Sequence, residues 1–220
     1  MAQITENLLL LLLDNATRKP ALDRARRERV LGAAVLLDLA LACRIRPAVD
    51  GEPVRAGRLL ALAGPNLADP VLDPALQLLR RRPITPQSAI AKLRRGIEPT
   101  LLRQLERTGQ IRPVRLRGKG LNRTWAWPLN DRTRVNQARA ELLSALFDLR
   151  CPTPSTAAII SLLHAVDGLG ALLSLNDRGW RWVHDRAGEI AGGAWVDESP
   201  ARLAEVNLAV TTSVVRSALA

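Results

Sequence analysis

Residues 30–42 read Val-Leu-Gly-Ala-Ala-Val-Leu-Leu-Asp-Leu-Ala-Leu-Ala, a stretch in which Asp38 is the one charged side chain. A helix that is apolar on all sides is buried inside a protein, and Leu and Ala favour helix. A second apolar stretch, Thr156 to Leu175, follows Ser155, which can cap a helix. The sequence therefore predicts a mainly α protein, a single-domain helical bundle around these two buried helices with a small β-hairpin.

The segments on either side of residues 30–42 fit the same bundle. Residues 4–13 are apolar, a loop with a short strand pair is expected over 46–64, and helices are predicted over 74–81, 131–149 and about 200–218. Neither an internal repeat nor a low-complexity linker divides the sequence, which favours one domain over residues 1–220. A buried Asp38 carboxylate is costly without a partner, so we expect it to meet an Arg or a solvent-exposed helix edge.

The motifs of most enzyme classes are missing from the 220 residues. His164 and His184 are the two histidines; neither has metal-site spacing, and no nucleophile motif such as Gly-x-Ser-x-Gly occurs. We therefore expect no catalytic residue, metal or cofactor. Cys43 and Cys151 are too few for a disulfide framework and favour a reducing cytoplasm. The leucines at 8–13 are too few to span a bilayer, so the protein can lie on a membrane without crossing it.

The excess positive charge lies between Arg80 and Arg150. This segment has fifteen Arg and two Lys against five carboxylates, a net charge of +12, while the rest of the chain has −1. Such a concentration indicates a surface for an acidic partner, and nucleic acid and an anionic membrane are the two obvious partners. Each Lys or Arg near an anionic surface contributes about 1 kcal/mol, so a few are enough for reversible membrane binding.

The basic segment also has the element order of a winged-helix DNA-binding protein. Thr85-Pro86 opens a predicted helix to about Arg95, Pro99 opens a second helix to about Thr108, and a basic β-hairpin follows over residues 110–127. Nucleic acid would then meet Arg103, Arg107, Arg115, Arg117 and Lys119. Large apolar helices flank this segment, which makes nucleic acid the less favoured partner. A scaffold for an acidic protein is a third interpretation.

Two tryptophans, Trp125 and Trp127, stand on the return strand of the predicted hairpin. Aromatic residues beside Arg can anchor a protein at a membrane interface, but such tryptophans more often fill the edge of a small core. The sequence leaves both interpretations open.

Five groups of residues follow one another over nearly the whole chain. They are the leucines Leu8 to Leu13 with Asp14; Leu31-Gly32-Ala33-Ala34-Val35-Leu36-Leu37-Asp38-Leu39-Ala40-Leu41 with Arg44-Ile45; Asp69-Pro70-Val71-Leu72-Asp73 with Ala75-Leu76; Leu102, Leu105-Glu106 and Gly109; and Ile160-Ser161-Leu162-Leu163-His164-Ala165. In this order they resemble the Golgi phosphoprotein 3 family, whose bacterial relatives are common in actinobacteria. The resemblance implies a helical domain around a central bundle, with a projecting hairpin used in oligomerisation. It also implies peripheral membrane binding through recognition of phosphatidylinositol 4-phosphate on a basic face.

The resemblance also points to particular head-group residues. The family's head-group positions fall on Leu22, Leu31, Arg95 and Glu98, of which Arg95 keeps an arginine. We therefore interpret Arg95 as the lipid head-group residue. Neighbouring cations that can act with it are Arg94, Lys92 and Arg27.

The hairpin is the expected site of a homo-oligomer contact. Its residues in this interpretation are Arg115, Arg117, Lys119, Leu121 and Trp125. The leading hypothesis is a non-enzymatic cytoplasmic protein, peripherally associated with the inner face of the cell membrane through an anionic lipid.

Overall fold

The computed structural model describes residues 3–116, 124–197 and 202–219. Over these residues the chain forms nine α-helices and two antiparallel strand pairs, β1 with β2 and β3 with β4, which confirms the predicted mainly α fold with a small hairpin. The elements are α1 (Gln3–Leu13), α2 (Arg24–Leu41), β1 (Ile45–Pro47), β2 (Leu59–Ala61), α3 (Asp73–Arg81), α4 (Pro86–Arg107), β3 (Val114–Leu116), β4 (Thr124–Ala126), α5 (Thr133–Phe147), α6 (Pro154–Ala165), α7 (Asp177–Gly192), α8 (Ala194–Asp197) and α9 (Leu203–Ser217).

Helix α2 lies at the centre of the bundle. Every residue from Val30 to Ala40 is buried, as the all-round apolar run predicts. α2 contacts α1, α4, α6 and α9, so each of its sides meets a different helix. The leucines Leu8 to Leu13 make α1 equally buried, since none is more than 1 % exposed. The core is thus built on α1 and α2, with the second predicted apolar helix, α6, packed against both.

Asp38 is buried in the middle of α2, and the prediction that an Arg or solvent would meet it was wrong. Its carboxylate accepts hydrogen bonds from the backbone N–H of Ile4 at 2.8 Å, the N–H of Thr5 at 2.9 Å and the Thr5 hydroxyl. The first N–H groups of a helix have no partner within the helix, so Asp38 supplies acceptors that α1 needs. Burial raises the pKa of Asp38 to about 7, while the hydrogen bonds from Thr5 and Ile4 act in the opposite direction.

Helix α4 corrects the predicted pair of short helices. It is continuous over its full length, with Thr85 capping it as predicted and Pro99 in its interior. Ile97, Leu101 and Leu105 keep helical spacing across this proline and are buried. Burying such side chains contributes about 1.5–3 kcal/mol each, which outweighs the roughly 3 kcal/mol cost of an interior proline. The helix–break–helix order on which the winged-helix alternative depended was therefore wrong.

Helix α6 is shorter than predicted, because it ends at Ala165 and not at Leu175. Asp167 adopts φ +50°, a left-handed conformation that cannot continue a right-handed helix. A short 3₁₀ turn, Leu169–Ala171, follows.

Ion pairs join α5 to α1. Arg134 contacts Glu6 at 2.7 Å, Arg139 contacts Asp14 at 3.1 Å, and Arg132 pairs with the same Asp14 carboxylate. The Asp14 side chain is 7 % exposed. Three arginines of the basic segment are thus paired with carboxylates inside the fold.

Candidate anion-binding site

A groove lies between the first turns of α2 and the middle of α4. Its volume is about 490 Å³. The residues that line it are Arg24, Arg27, Glu28, Arg95, Glu98, Pro99, Leu102, Arg103 and Trp127. Four guanidinium groups, two carboxylates, one indole and an apolar wall therefore share this groove, which we call the α2–α4 groove.

Two of the four arginines are paired with the two carboxylates of the α2–α4 groove. Arg24 Nε lies 2.7 Å from Glu28, a hydrogen bond that raises the pKa of Arg24, and Arg27 Nε lies 2.9 Å from Glu98. Both side chains of the Arg27–Glu98 pair are largely buried, with 13 % and 16 % exposure. The pair therefore holds two charged groups of the groove against each other.

The other two arginines have no carboxylate partner among the described residues. Arg103 contacts the hydroxyl of Thr100 at 3.3 Å, and Arg95 is exposed. The groove thus offers two uncompensated positive charges on one helix. Guanidinium groups bind phosphate and carboxylate oxygens through paired N–H donors, so this arrangement can bind an anion.

Trp127 forms one wall of the groove together with Pro99 and Leu102. It follows the end of β4, and its backbone N–H donates a hydrogen bond to the carbonyl of Arg18 at 2.7 Å. The sequence left Trp127 either as an interfacial anchor or as a core plug, and the structure places its half-buried side chain on the groove. An indole at the rim of a cationic groove suits a ligand with both a charged and an apolar part.

The structure brings two of the four predicted head-group residues, Arg95 and Arg27, to the α2–α4 groove and leaves the others outside it. Arg94 faces Gly32 of α2 at the helix contact, and its buried Nε has no hydrogen-bond partner among the described residues. Lys92 is exposed on α4, one turn before Arg95, and does not line the groove.

Two of the positions that the resemblance assigned to the head group, Leu22 and Glu98, contact Arg27. Its guanidinium donates to the Leu22 carbonyl at 2.8 Å and to Glu98 at 2.9 Å. Leu31, one turn further along α2, is fully buried and offers no polar group. Arg27 therefore supplies a positive charge next to Leu22 and Glu98, whereas the Leu31 side chain carries no charge.

The hairpin residues are only partly described. Arg115 pairs with Trp125 across β3 and β4; Arg115 is exposed and Trp125 is 49 % exposed. Arg117, Lys119 and Leu121 lie outside the described residues. Arg107, a residue of the nucleic-acid alternative, lies at the end of α4 and donates to Gln104 at 2.7 Å.

The part of the chain that the structure describes shows neither a metal-binding cluster nor a membrane-spanning helix. That part contains no group of three or more His, Cys, Asp or Glu side chains able to hold a metal ion. Within the same residues, no helix is both long and apolar enough to cross a membrane.

Comparison with models of protein families gives a match. The family model described as Golgi phosphoprotein 3 (GPP34) matches residues 4–205, a span that runs from the second residue of α1 past the end of α8 and contains every residue that lines the α2–α4 groove. A search among curated proteins finds no match. Since the match covers most of the 220 residues, the chain belongs to the Golgi phosphoprotein 3 family.

Proposed function

We propose that this protein binds membranes peripherally by taking the phosphate-bearing head group of an anionic lipid into the α2–α4 groove. Membership of the Golgi phosphoprotein 3 family supports a lipid-binding module in general, with a ligand like phosphatidylinositol 4-phosphate. The site would act at the inner face of the cell membrane in a bacterial member of the family. The proposal assigns no catalytic step to the chain.

The charge of the groove is the observation that carries this proposal. After the pairs with Glu28 and Glu98 are formed, Arg95 and Arg103 leave two positive charges uncompensated. A phosphomonoester carries about −1.5 to −2 charges at neutral pH, so one such group balances both arginines. A carboxylate, or a phosphate within a diester, would balance only one.

The wall of the groove supports a lipid in preference to a free polyanion. Pro99, Leu102 and the Trp127 indole give an apolar surface next to the two arginines. Tryptophan is enriched at membrane–water interfaces, where its apolar ring and its N–H are both accommodated. Exposed cations outside the groove, such as Lys92, add about 1 kcal/mol each near an anionic surface.

Two further parts of the proposal concern partners. We propose that the hairpin, with exposed Arg115 and half-exposed Trp125, serves self-association. Nucleic acid is not a second candidate, because α4 is one helix with Pro99 in its interior. A scaffold for an acidic protein has no specific observation in its favour.

Vesicle co-sedimentation tests the proposed function. The wild type is mixed with vesicles of phosphatidylcholine alone, or with added phosphatidylserine or phosphatidylinositol 4-phosphate, at about 0.1 M salt, where the Debye length is about 10 Å. We expect binding to the phosphoinositide vesicles most, to phosphatidylserine less and to phosphatidylcholine least. Binding to none of the anionic vesicles, beside a positive DNA gel shift at the same salt, would overturn the proposal.

A charge-reversed variant tests the site itself. Arg95→Glu with Arg103→Glu changes the groove by four charges, which at about 1 kcal/mol each should weaken vesicle binding by at least about a hundredfold. The matched control is Arg81→Glu with Arg82→Glu, two exposed arginines at the end of α3 that do not line the groove. We expect the control to lose much less. Equal losses in the two variants would mean that general basicity, and not this groove, holds the membrane.

A further inference from the structure

A second cationic cavity is lined in part by Pro128 and Leu129, the residues that follow Trp127 in the chain. Its volume is about 520 Å³. The residues that line it are Leu13, Asp14, Asn15, Ala16, Arg18, Arg112, Pro128, Leu129 and Arg132. We propose that this cavity, which we call the Arg18–Arg112 cavity, binds a second phosphate group.

The residues that line this cavity have the same net charge as those of the α2–α4 groove, since three arginines against one carboxylate and four arginines against two carboxylates both leave +2. Its one carboxylate, Asp14, is already paired with Arg132 and with Arg139 of α5. Arg18 and Arg112 have no carboxylate partner among the described residues. Two free guanidinium groups therefore remain, and they match the roughly two negative charges of a phosphomonoester.

The backbones of Arg18 and Arg112 are both hydrogen-bonded to one short segment, Trp127 to Pro128. The Trp127 N–H donates to the Arg18 carbonyl at 2.7 Å, and the Arg112 N–H donates to the Pro128 carbonyl at 3.1 Å. Trp127 thus fixes the backbone of Arg18, and its neighbour Pro128 fixes that of Arg112. Because the backbones are fixed and the two guanidinium groups are on exposed side chains, binding costs side-chain conformational entropy and little backbone entropy.

The turn that carries Arg18 is ordered by its own contacts. The Asn15 side-chain amide donates to the carbonyls of Leu12 and Lys19 at 2.8 Å, and its oxygen accepts from the Thr17 N–H at 2.9 Å. Arg18 itself has φ +54°, a conformation that a non-glycine residue adopts at a cost. The turn is therefore fixed in its backbone, and the exposed Arg18 side chain that it carries lines the cavity.

The C-terminal end of α1, which carries the negative end of the helix dipole, borders the cavity. Its carbonyl groups already accept hydrogen bonds. The Leu12 carbonyl accepts from the Ala21 N–H at 2.8 Å, and the Leu10 carbonyl accepts from the Asp14 N–H at 3.0 Å. Carbonyl groups that already have donors repel a bound anion less than free ones do.

The bound phosphate can come from a second lipid head group or from free phosphate, and the two sources are separable. The first arm is an NMR titration of the wild type with inorganic phosphate, following the backbone and Nε–H signals of Arg18, Arg112, Arg81 and Arg82. All four arginines are exposed; we expect saturable shifts at Arg18 and Arg112, which line one cavity, and only small, linear shifts at Arg81 and Arg82, which do not line it. The second arm measures binding to phosphatidylcholine vesicles with and without phosphatidic acid.

The test variant for both arms is Arg18→Gln with Arg112→Gln, and Arg81→Gln with Arg82→Gln is the control of equal charge. A lipid source predicts vesicle binding about thirtyfold weaker in the test variant than in the wild type, with a much smaller loss in the control. A free-phosphate source predicts saturable shifts with vesicle binding equal to that of the control. Linear shifts together with equal vesicle binding in the two variants would overturn the second site.

The second site does not depend on the proposed function of the α2–α4 groove. Arg95→Gln with Arg103→Gln, measured in the same two arms and also on the phosphatidylinositol 4-phosphate vesicles, shows whether the groove fails. If this variant binds as the wild type does while Arg18→Gln with Arg112→Gln loses binding, the second cavity stands and the proposed function of the groove falls.

Discussion

Helices α4 and α5 both belong to the basic segment, yet their arginines have different surroundings. On α5, Arg134 and Arg139 pair with carboxylates of the chain around α1. On α4, Arg95 and Arg103 have no carboxylate partner among the described residues. The net charge of a segment therefore does not give the charge that a ligand can use, because part of it is consumed by ion pairs inside the fold.

The two sets of arginines should therefore affect different properties of the protein, its stability and its ligand binding. The α5 arginines should contribute to the free energy of unfolding and little to ligand binding. The α4 arginines should do the reverse, since an unpaired exposed cation adds little to stability. We expect the largest change in the free energy of unfolding when contacts of α1, the helix to which α5 is joined, are removed.

Asp38→Ala should lower the free energy of unfolding by about 3 kcal/mol, because it leaves buried donors of Ile4 and Thr5 without acceptors. Urea unfolding followed by circular dichroism measures the change. A loss below about 1 kcal/mol would mean that the α5 ion pairs, and not Asp38, hold α1 in place.

Asp14→Ala should cost less, about 2 kcal/mol, because Arg132 is 65 % exposed and becomes solvated when its partner is removed. Binding to phosphatidic acid vesicles per folded molecule should not weaken. Asp185→Ala is the control, an exposed acid that forms no ion pair among the described residues. If the Asp14 variant keeps its stability but loses vesicle binding, the division between α4 and α5 is wrong.

The stability of the wild type should fall as the pH rises towards neutral because of Asp38. Its pKa is about 7 in the fold and 3.8 in an ordinary setting, so the folded chain holds more protons than the unfolded chain between these values. The free energy of unfolding therefore decreases through this range and levels off above about pH 7. Urea titrations between about pH 5 and pH 8 should give a flatter dependence in Asp38→Asn than in the wild type. Parallel curves for the two proteins would contradict the assignment.

Glu98→Gln should have the smallest effect and should act on binding. It frees Arg27 and raises the net charge of the α2–α4 groove by one, so affinity for phosphoinositide vesicles should rise about fivefold, equivalent to about 1 kcal/mol. Glu106→Gln is a control on the same helix outside the groove. Weaker binding by Glu98→Gln would show that Glu98 helps to bind the ligand by fixing Arg27.

The helices that depend on local sequence could be predicted, and contacts between distant segments could not. The apolar run in α2 and the Thr85 cap of α4 are local patterns, and both are confirmed. Pro99 predicts a helix start, because proline favours the first helical turn. The burial of Ile97 and Leu101, which keeps α4 continuous, depends on the whole fold and is not visible in the local sequence. Local propensity gave way there to tertiary packing.

The candidate site was predictable only in part for the same reason. Arg95 and Arg27 both reach the groove, whereas Arg94 faces α2, since consecutive residues on a helix point about 100° apart. Trp127 lies thirty-two positions after Arg95 and joins it only through the hairpin. No spacing rule in the sequence connects them.

The contact between Asp38 and the first turn of α1 also bears on the order of folding. The N–H groups of Ile4 and Thr5 donate to Asp38, which is 34 and 33 positions later in the chain. During synthesis, which proceeds from the N-terminus, α1 therefore emerges before the residue that completes it. We expect the leucines of α1 to stay available to chaperones until the middle of α2 has left the ribosome.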